Sequence, residues 1–173
     1  MRSLEPSLSQ GPRADIYRTV ARVPGAHLRG IERMTGLPLG QVLYHLDRLE
    51  RMGLVTSARD WGFRRYFLAW EIDRREKKVL GALRHEVPRR VLLALLEREP
   101  QAHKDLQAAA GVAGSTLSFH LQRLVASGVL RREREGVSQR YSLAEPELLR
   151  RELLAYGASF EDPLVDRFVR DHS

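Results

Sequence analysis

The chain repeats itself. Sliding the sequence by 75 positions lays Ile16–Leu68 on Val91–Leu143 without a gap. Ten identities mark the register: Gly36 on Gly111, His45 on His120, Leu46 on Leu121, Arg48 on Arg123, Leu49 on Leu124, Gly53 on Gly128, Arg59 on Arg134, Arg65 on Arg140, Tyr66 on Tyr141 and Leu68 on Leu143. A unit of about 50 residues that occurs only twice is too short an array for a solenoid, whose core forms by stacking several repeats. It predicts two small domains of one type in tandem. The expected division is a flexible leader over 1–12, a first domain over 13–70, a connecting helix over 71–87, a second domain over 88–143 and a C-terminal helical segment over 144–173.

Periodicity gives each unit the same order of elements. In the first, Ile16, Val20 and Ala21 suggest a short helix stopped by Pro24-Gly25. Leu28, Ile31 and Met34 suggest a second, closed by Gly36. Val42, Leu46, Leu49 and Met52 mark one face of a third helix that ends at Gly53, and Leu54–Arg59 and Arg64–Trp70 read as strands around Asp60-Trp61-Gly62-Phe63. In the second unit the helices follow Val91, Leu92, Leu95 and Leu96, then Leu106, Ala109 and Ala110, then Leu117, Leu121 and Leu124, with Ser115 as the expected N-cap of the third. Val129–Glu135 and Ser138–Leu143 are the strands, with Gly136 in the turn. Glu71–Glu86 reads as a charged connecting helix. After Pro146 come one apolar stripe of Leu148, Leu149, Leu153 and Leu154 and another of Leu164, Val165, Phe168 and Val169.

Composition narrows the function. There is no apolar run near 18 residues, which argues against a membrane span, and zero cysteine removes disulfides, thiolate metal sites and cysteine catalysis together. A soluble cytoplasmic protein is expected. The net charge of +7 is unevenly placed: Ala144–Ser173 holds four Arg against seven acids, so the repeats and their connector carry the whole excess. A basic body suits a polyanionic partner such as nucleic acid, although a solvated surface would look the same on charge alone.

Helix, short helix, Gly-containing turn, longer helix and hairpin is the order of a winged helix-turn-helix. The expected fold is therefore mainly α with small β wings: two tandem winged helix-turn-helix domains plus C-terminal helices. A helix of about 10–12 Å diameter fits the DNA major groove, and a hairpin beside it can reach phosphates. In the second unit Ser115, Thr116, Ser118, His120, Gln122 and Arg123 lie on or near the face away from the leucines. Gln can pair with adenine and Arg with guanine or phosphate, while a plain solvated face would carry the same residue types. The corresponding candidates in the first unit are Gln41, Tyr44, His45 and Arg48. For the wings they are Arg64, Arg65, Arg131, Arg132, Arg134 and Arg140.

The stretch STLSFHLQRLVASGVLRREREGVSQRYSL (Ser115–Leu143) resembles the recognition helix and wing of ArsR-type winged-helix transcriptional regulators. The resemblance rests on Ser118, His120, Leu121, Leu124, Gly128, Gly136, Arg140, Tyr141 and Leu143, and the frame recurs less well in YHLDRLERMGLV (Tyr44–Val55). It implies a double-stranded DNA partner, a transcriptional role and a homodimer through the terminal helices. The first unit departs from the pattern: Leu43 stands at the register of Ser118, Asp47 at that of Gln122, and Trp61 and Phe63 occupy its wing tip. Yet residues 13–70 hold ten Arg against five acids, the larger positive excess of the two units. Motif and charge thus point to different units.

No P-loop, dinucleotide fingerprint or nucleophile elbow is present, and the six histidines show no ligand spacing, so no enzyme, cofactor or metal site is expected. The reading is a sequence-specific double-stranded DNA-binding transcriptional regulator. The alternatives are a winged-helix interaction scaffold, with Trp61, Phe63 and Leu43 as its patch, and a plasmid-type replication initiator.

Overall fold

The computed structural model describes residues 10–173, so residues 1–9 of the expected leader lie outside the described residues. Pro12, the leader's last residue, opens the first helix. Helix α1 (Pro12–Arg22) starts with that proline, whose missing N–H is no loss in a first turn, and Asp15 complements the positive end. It buries Ala14, Ile16, Thr19 and Val20. Strand β1 (Ala26–His27) follows, then α2 (Leu28–Thr35), whose first turn is capped by His27: the Gly30 N–H donates to Nδ1 at 3.0 Å. Gly36 closes α2 in the left-handed conformation at φ 68°, which a side chain would resist. Helix α3 (Leu39–Arg51) buries Val42, Leu46 and Leu49. Strands β2 (Val55–Asp60) and β3 (Phe63–Leu68) complete an antiparallel sheet of order β1-β3-β2. One core gathers Ile16, Val20, Ile31, Val42, Leu46, Leu49, Leu54, Val55, Tyr66 and Leu68.

The chain forms two compact units, 10–77 and Lys78–Ser173, which divide inside helix α4 (Arg74–Leu83). The second repeats the first: α5 (Glu86–Glu97), β4 (Gln101–Ala102), α6 (His103–Ala110), α7 (Gly114–Ser127), β5 (Leu130–Glu135) and β6 (Ser138–Leu143), with sheet order β4-β6-β5. β1, α2, β2 and β3 recur as β4, α6, β5 and β6 at the offset of 75, residue for residue. The pairing register recurs as well: Ala26 faces Tyr66 as Gln101 faces Tyr141.

Four details differ from expectation. The short strands β1 and β4 are additional, each two residues that add a third strand to the hairpin. β3 ends at Leu68, leaving Trp70 outside the sheet and 85% exposed. Ser115 does not cap α7: Ala113 holds that position and Ser115 lies inside the first turn, exposed. Ala109 faces out, so Leu106 and Ala110 carry α6's part of the core.

The C-terminal segment folds onto the second unit. Helix α8 (Pro146–Tyr156), a 3-10 turn (Gly157–Phe160) and α9 (Pro163–His172) bury Leu148, Leu149, Leu153, Phe160 and Val165. Arg84 donates to the carbonyl of Ser159 at 2.7 Å and to its Oγ at 2.8 Å, with its guanidinium 4.2 Å from the Phe160 ring centroid. Arg89 Nε meets Asp162 Oδ2 at 2.6 Å, both side chains nearly enclosed, while Asp162 Oδ1 caps α9 at Leu164 N. Burial pushes the Asp162 carboxyl up. The hydrogen bonds from Arg89 and Leu164 and the charges of Arg89 and Arg90 outweigh it, and the net value falls below the ordinary one. Gly157 lets α9 approach: a Cβ there would lie 2.6 Å from Cγ2 of Val169.

Candidate nucleic-acid interface

In each unit the third helix puts one face into the core and the other into solvent. On α7, Leu117, Leu121 and Leu124 are buried, while Ser115, Thr116, Ser118, Phe119, Gln122 and Arg123 are exposed. The period of 3.6 residues opposes these sets, so the expected candidates other than His120 share one open face. Ser118 Oγ is 2.9 Å from His103 Nε2 on α6, which positions the hydroxyl. On α3 the exposed residues are Gln41, Leu43, Tyr44, Asp47 and Arg48, and Arg48 donates to the Tyr44 hydroxyl at 3.4 Å.

The shared histidines turn inward. Nδ1 of both His45 and His120 is enclosed. Burial, then the charges of Arg13 and Arg48, lower the value of His45; burial, then Arg123, lower that of His120. Both shifts favour the neutral ring.

Burial and pairing sort the wing arginines. Arg65 is 2% exposed: its NH1 donates to the carbonyl of Gly25 at 2.8 Å, and it lies 3.9 Å from Asp60. The expectation that it meets phosphate is corrected; it ties the hairpin to the loop before β1. Arg64 stays half exposed but is held by Glu50 at 2.8 Å and by Ser57 Oγ at 2.9 Å. In the second wing Arg140 pairs with Glu135 at 2.8 Å. Arg131, Arg132 and Arg134 are exposed and form no ion pair among the described residues; Arg131 donates to the Ala144 carbonyl and Arg134 to that of Gly136. Arg132 faces Tyr141 and Arg134 faces Gln139 across the ladder, so both extend the Tyr141 face beyond the core.

The ion pairs show how the first unit's acids are used, while its net excess stays at ten Arg against five acids. Each acid of the first repeat pairs with an arginine there: Asp15 with Arg18, Glu32 with Arg29, Asp47 with Arg51, Glu50 with Arg64 and Asp60 with Arg65. On its hairpin Arg64 and Arg65 are held in ion pairs, whereas on the second hairpin Arg140 is paired and Arg131, Arg132 and Arg134 form no ion pair among the described residues.

The hairpin turns also differ. Trp61 (φ 51°) and Gly62 (φ 83°) both take positive φ, the pattern of a type I′ turn, with tryptophan in a position that favours Asn or Gly. In the second wing Gly136 alone is positive, at φ 61°, and Val137 is fully exposed. Phe63 stacks on His27 at 5.3 Å and is 46% exposed. With Leu43 and Tyr44 it gives the first unit the more apolar open surface.

Phe119 was not among the sequence candidates. It is 53% exposed in the middle of the α7 face, and the signal for it was its register with Tyr44, 56% exposed. Among the described residues no group of three or more His, Asp or Glu is arranged to hold a metal ion, and no helix is long and apolar enough to cross a membrane.

Comparison with known proteins finds helix-turn-helix domains in both units. Residues 10–80 match the model of an N-terminal HTH domain, and residues 83–133 match that of a helix-turn-helix domain. The chain is 25% identical over 132 residues to an uncharacterized HTH-type transcriptional regulator of Methanocaldococcus jannaschii. The match covers 76% of this chain and 33% of that protein, so the chain spans about a third of its relative's length. The chain is thus mainly α with small β wings, and it carries two helix-turn-helix domains in tandem.

Proposed function

We propose that the protein is a sequence-specific, double-stranded DNA-binding transcriptional regulator of the ArsR-like kind. Helix α7 would enter the major groove and the β5–β6 wing would lie on the backbone. The observation that carries this is the adjacency, in one unit, of an exposed polar helix face (Ser115, Thr116, Ser118, Gln122, Arg123) and a hairpin with three exposed arginines outside any ion pair among the described residues (Arg131, Arg132, Arg134). Gln122 and Arg123 suit base edges, and the arginines suit phosphates. Two helix-turn-helix matches and a relative named as a transcriptional regulator support the same reading. Such a protein acts at the chromosome, in the cytoplasm or nucleoid. The test is duplex binding by the full chain across a salt series: specific binding with a steep salt slope is expected, and salt-independent or absent binding overturns the reading.

The first unit supports a weaker contribution to DNA and favours a second reading for that half alone. Leu43, Tyr44 and Phe63 expose apolar surface where the second unit exposes polar groups, as a protein contact would require. Truncation is not needed to separate the two: Leu43→Ser should leave DNA affinity unchanged if that face meets protein.

The homodimer through the terminal helices rests on a reduced surface. Leu148, Leu149, Leu153 and Val165 are already buried, leaving Leu154 and Leu164 exposed and Phe168 and Val169 half-buried. The solution mass of the full chain, compared with a Leu154→Glu, Leu164→Glu variant, decides it: a wild-type monomer at micromolar concentration ends the dimer.

A further inference from the structure

We propose that Phe119 reads the C5-methyl group of a pyrimidine in the major groove, as the apolar centre of an otherwise polar helix face. The inference rests on the DNA-binding reading above. Around an α-helix the surface neighbours of a residue stand three and four positions away. For Phe119 these are Ser115, Thr116, Gln122 and Arg123, all exposed, while the buried Leu117, Leu121 and Leu124 occupy the opposite side. The phenyl ring therefore sits at the midpoint of the surface that would face the base pairs.

The ring is also held. Arg123 stands over it, 5.6 Å from guanidinium carbon to centroid, and His120 meets it edge-on at 5.4 Å and 77°. The first unit repeats this at the same register: Arg48 lies 5.9 Å from the Tyr44 centroid, and His45 meets Tyr44 at 5.1 Å and 70°. An aromatic ring and its two braces are thus kept together in two units that share few residues. Tyr44 carries a hydroxyl engaged by Arg48, so the assignment is to Phe119 alone.

The chemistry follows from what a phenyl ring lacks. It can neither donate nor accept a strong hydrogen bond, so the carbonyl, amino and ring-nitrogen edges of the groove gain nothing from it. The apolar group that base edges offer there is the C5-methyl, found on thymine and on 5-methylcytosine. Gln122 and Arg123 on its flanks would read the neighbouring bases, and the ring would report which pyrimidine carries a methyl.

The experiment begins with selection by the full chain from a random-sequence duplex pool. The enriched site is resynthesised with uracil for thymine, cytosine for thymine, and 5-methylcytosine for cytosine, one position at a time. Wild type, Phe119→Ala and Phe119→Leu are then compared. At one position uracil should weaken the wild type about four-fold, the loss expected for uncovering one methyl group. Phe119→Ala should bind the thymine and uracil sites alike, and Phe119→Leu should keep the discrimination. A preference for 5-methylcytosine over thymine would assign the same contact to the modified base. Indifference of the wild type to uracil everywhere overturns the assignment, as does a uracil effect that persists in Phe119→Ala. An equal loss on all sites would reduce the ring to a helix brace and also overturn it. Duplex binding without enrichment ends the readout but leaves backbone binding standing; no duplex binding at all ends both.

Discussion

His103 Nε2 and Ser118 Oγ lie 2.9 Å apart, joining the first residue of α6 to the open face of α7. At the same two register positions the first unit carries Leu28 and Leu43. Both members of a polar pair in one unit are thus apolar in the other. Leu43 is then half of a two-residue difference between the units.

Replacing His103 by Leu should separate positioning from folding. A net hydrogen bond at a partly exposed site is worth about 0.5–1.5 kcal/mol, so thermal unfolding should shift only slightly. Duplex binding should suffer more, because Ser118 loses the partner that orients its hydroxyl. The variant is measured by melting and by binding to a selected site; a large stability loss with unchanged binding would assign the pair to folding alone.

The wing arginines should divide into two kinds. Arg132→Ala with Arg134→Ala should leave stability near wild type and flatten the salt dependence of binding, by a slope of about 0.9 per lost phosphate contact. Arg65→Ala should do the reverse, since it strips the buried Gly25 carbonyl of its donor. About 1–3 kcal/mol of unfolding free energy should disappear in urea titration, with the salt slope unchanged. Identical behaviour of the two variants would contradict the sorting by burial and pairing.

Acid should loosen the C-terminal segment through Asp162. Its folded value is depressed below the ordinary 3.8, so its contribution is fully present above 3.8 and is lost as pH falls through the lower folded value. Asp162→Asn keeps a capping side chain but removes the charge facing Arg89. The gap in stability between wild type and variant should be constant from neutral pH down to about 5 and close on further acidification. A gap that widened in acid would reverse the sign.

Gly157→Ala tests the approach of α9. The new methyl would meet Val169 Cγ2 at 2.6 Å, and overpacking of this kind costs about 1–3 kcal/mol. Val169→Ala in the same chain should recover part of the loss, read as a coupling energy in a double-mutant cycle. Additive losses would mean that the two residues do not meet.

The recurring elements were legible because their signals are local. Leucines at helical spacing and glycines such as Gly36 and Gly111 at helix ends mark the boundaries within one or two turns of chain. β1 and β4 were not legible, since two residues have no period and are strands only by virtue of β3 and β6. Arg64 and Arg65 look alike in sequence, and what sets Arg65 apart is its burial against a carbonyl 40 positions away. Phe119 was hidden by its polar neighbours, although Tyr44 at the same register was already a candidate. Ser115 was read as a cap by residue type, while Ala113 took that place without any side-chain hydrogen bond.

The offset of 75 residues also bears on inheritance. A symmetric dimer made from one small domain places every substitution twice, and its target must mirror that two-fold symmetry as a palindrome. Here the two third helices are encoded separately, so α3 carries Leu43 and Asp47 where α7 carries Ser118 and Gln122. Acting as a monomer, a chain of this design would impose no palindrome on a duplex target. Its target would be a composite of unlike halves, and each half could drift without dragging the other along.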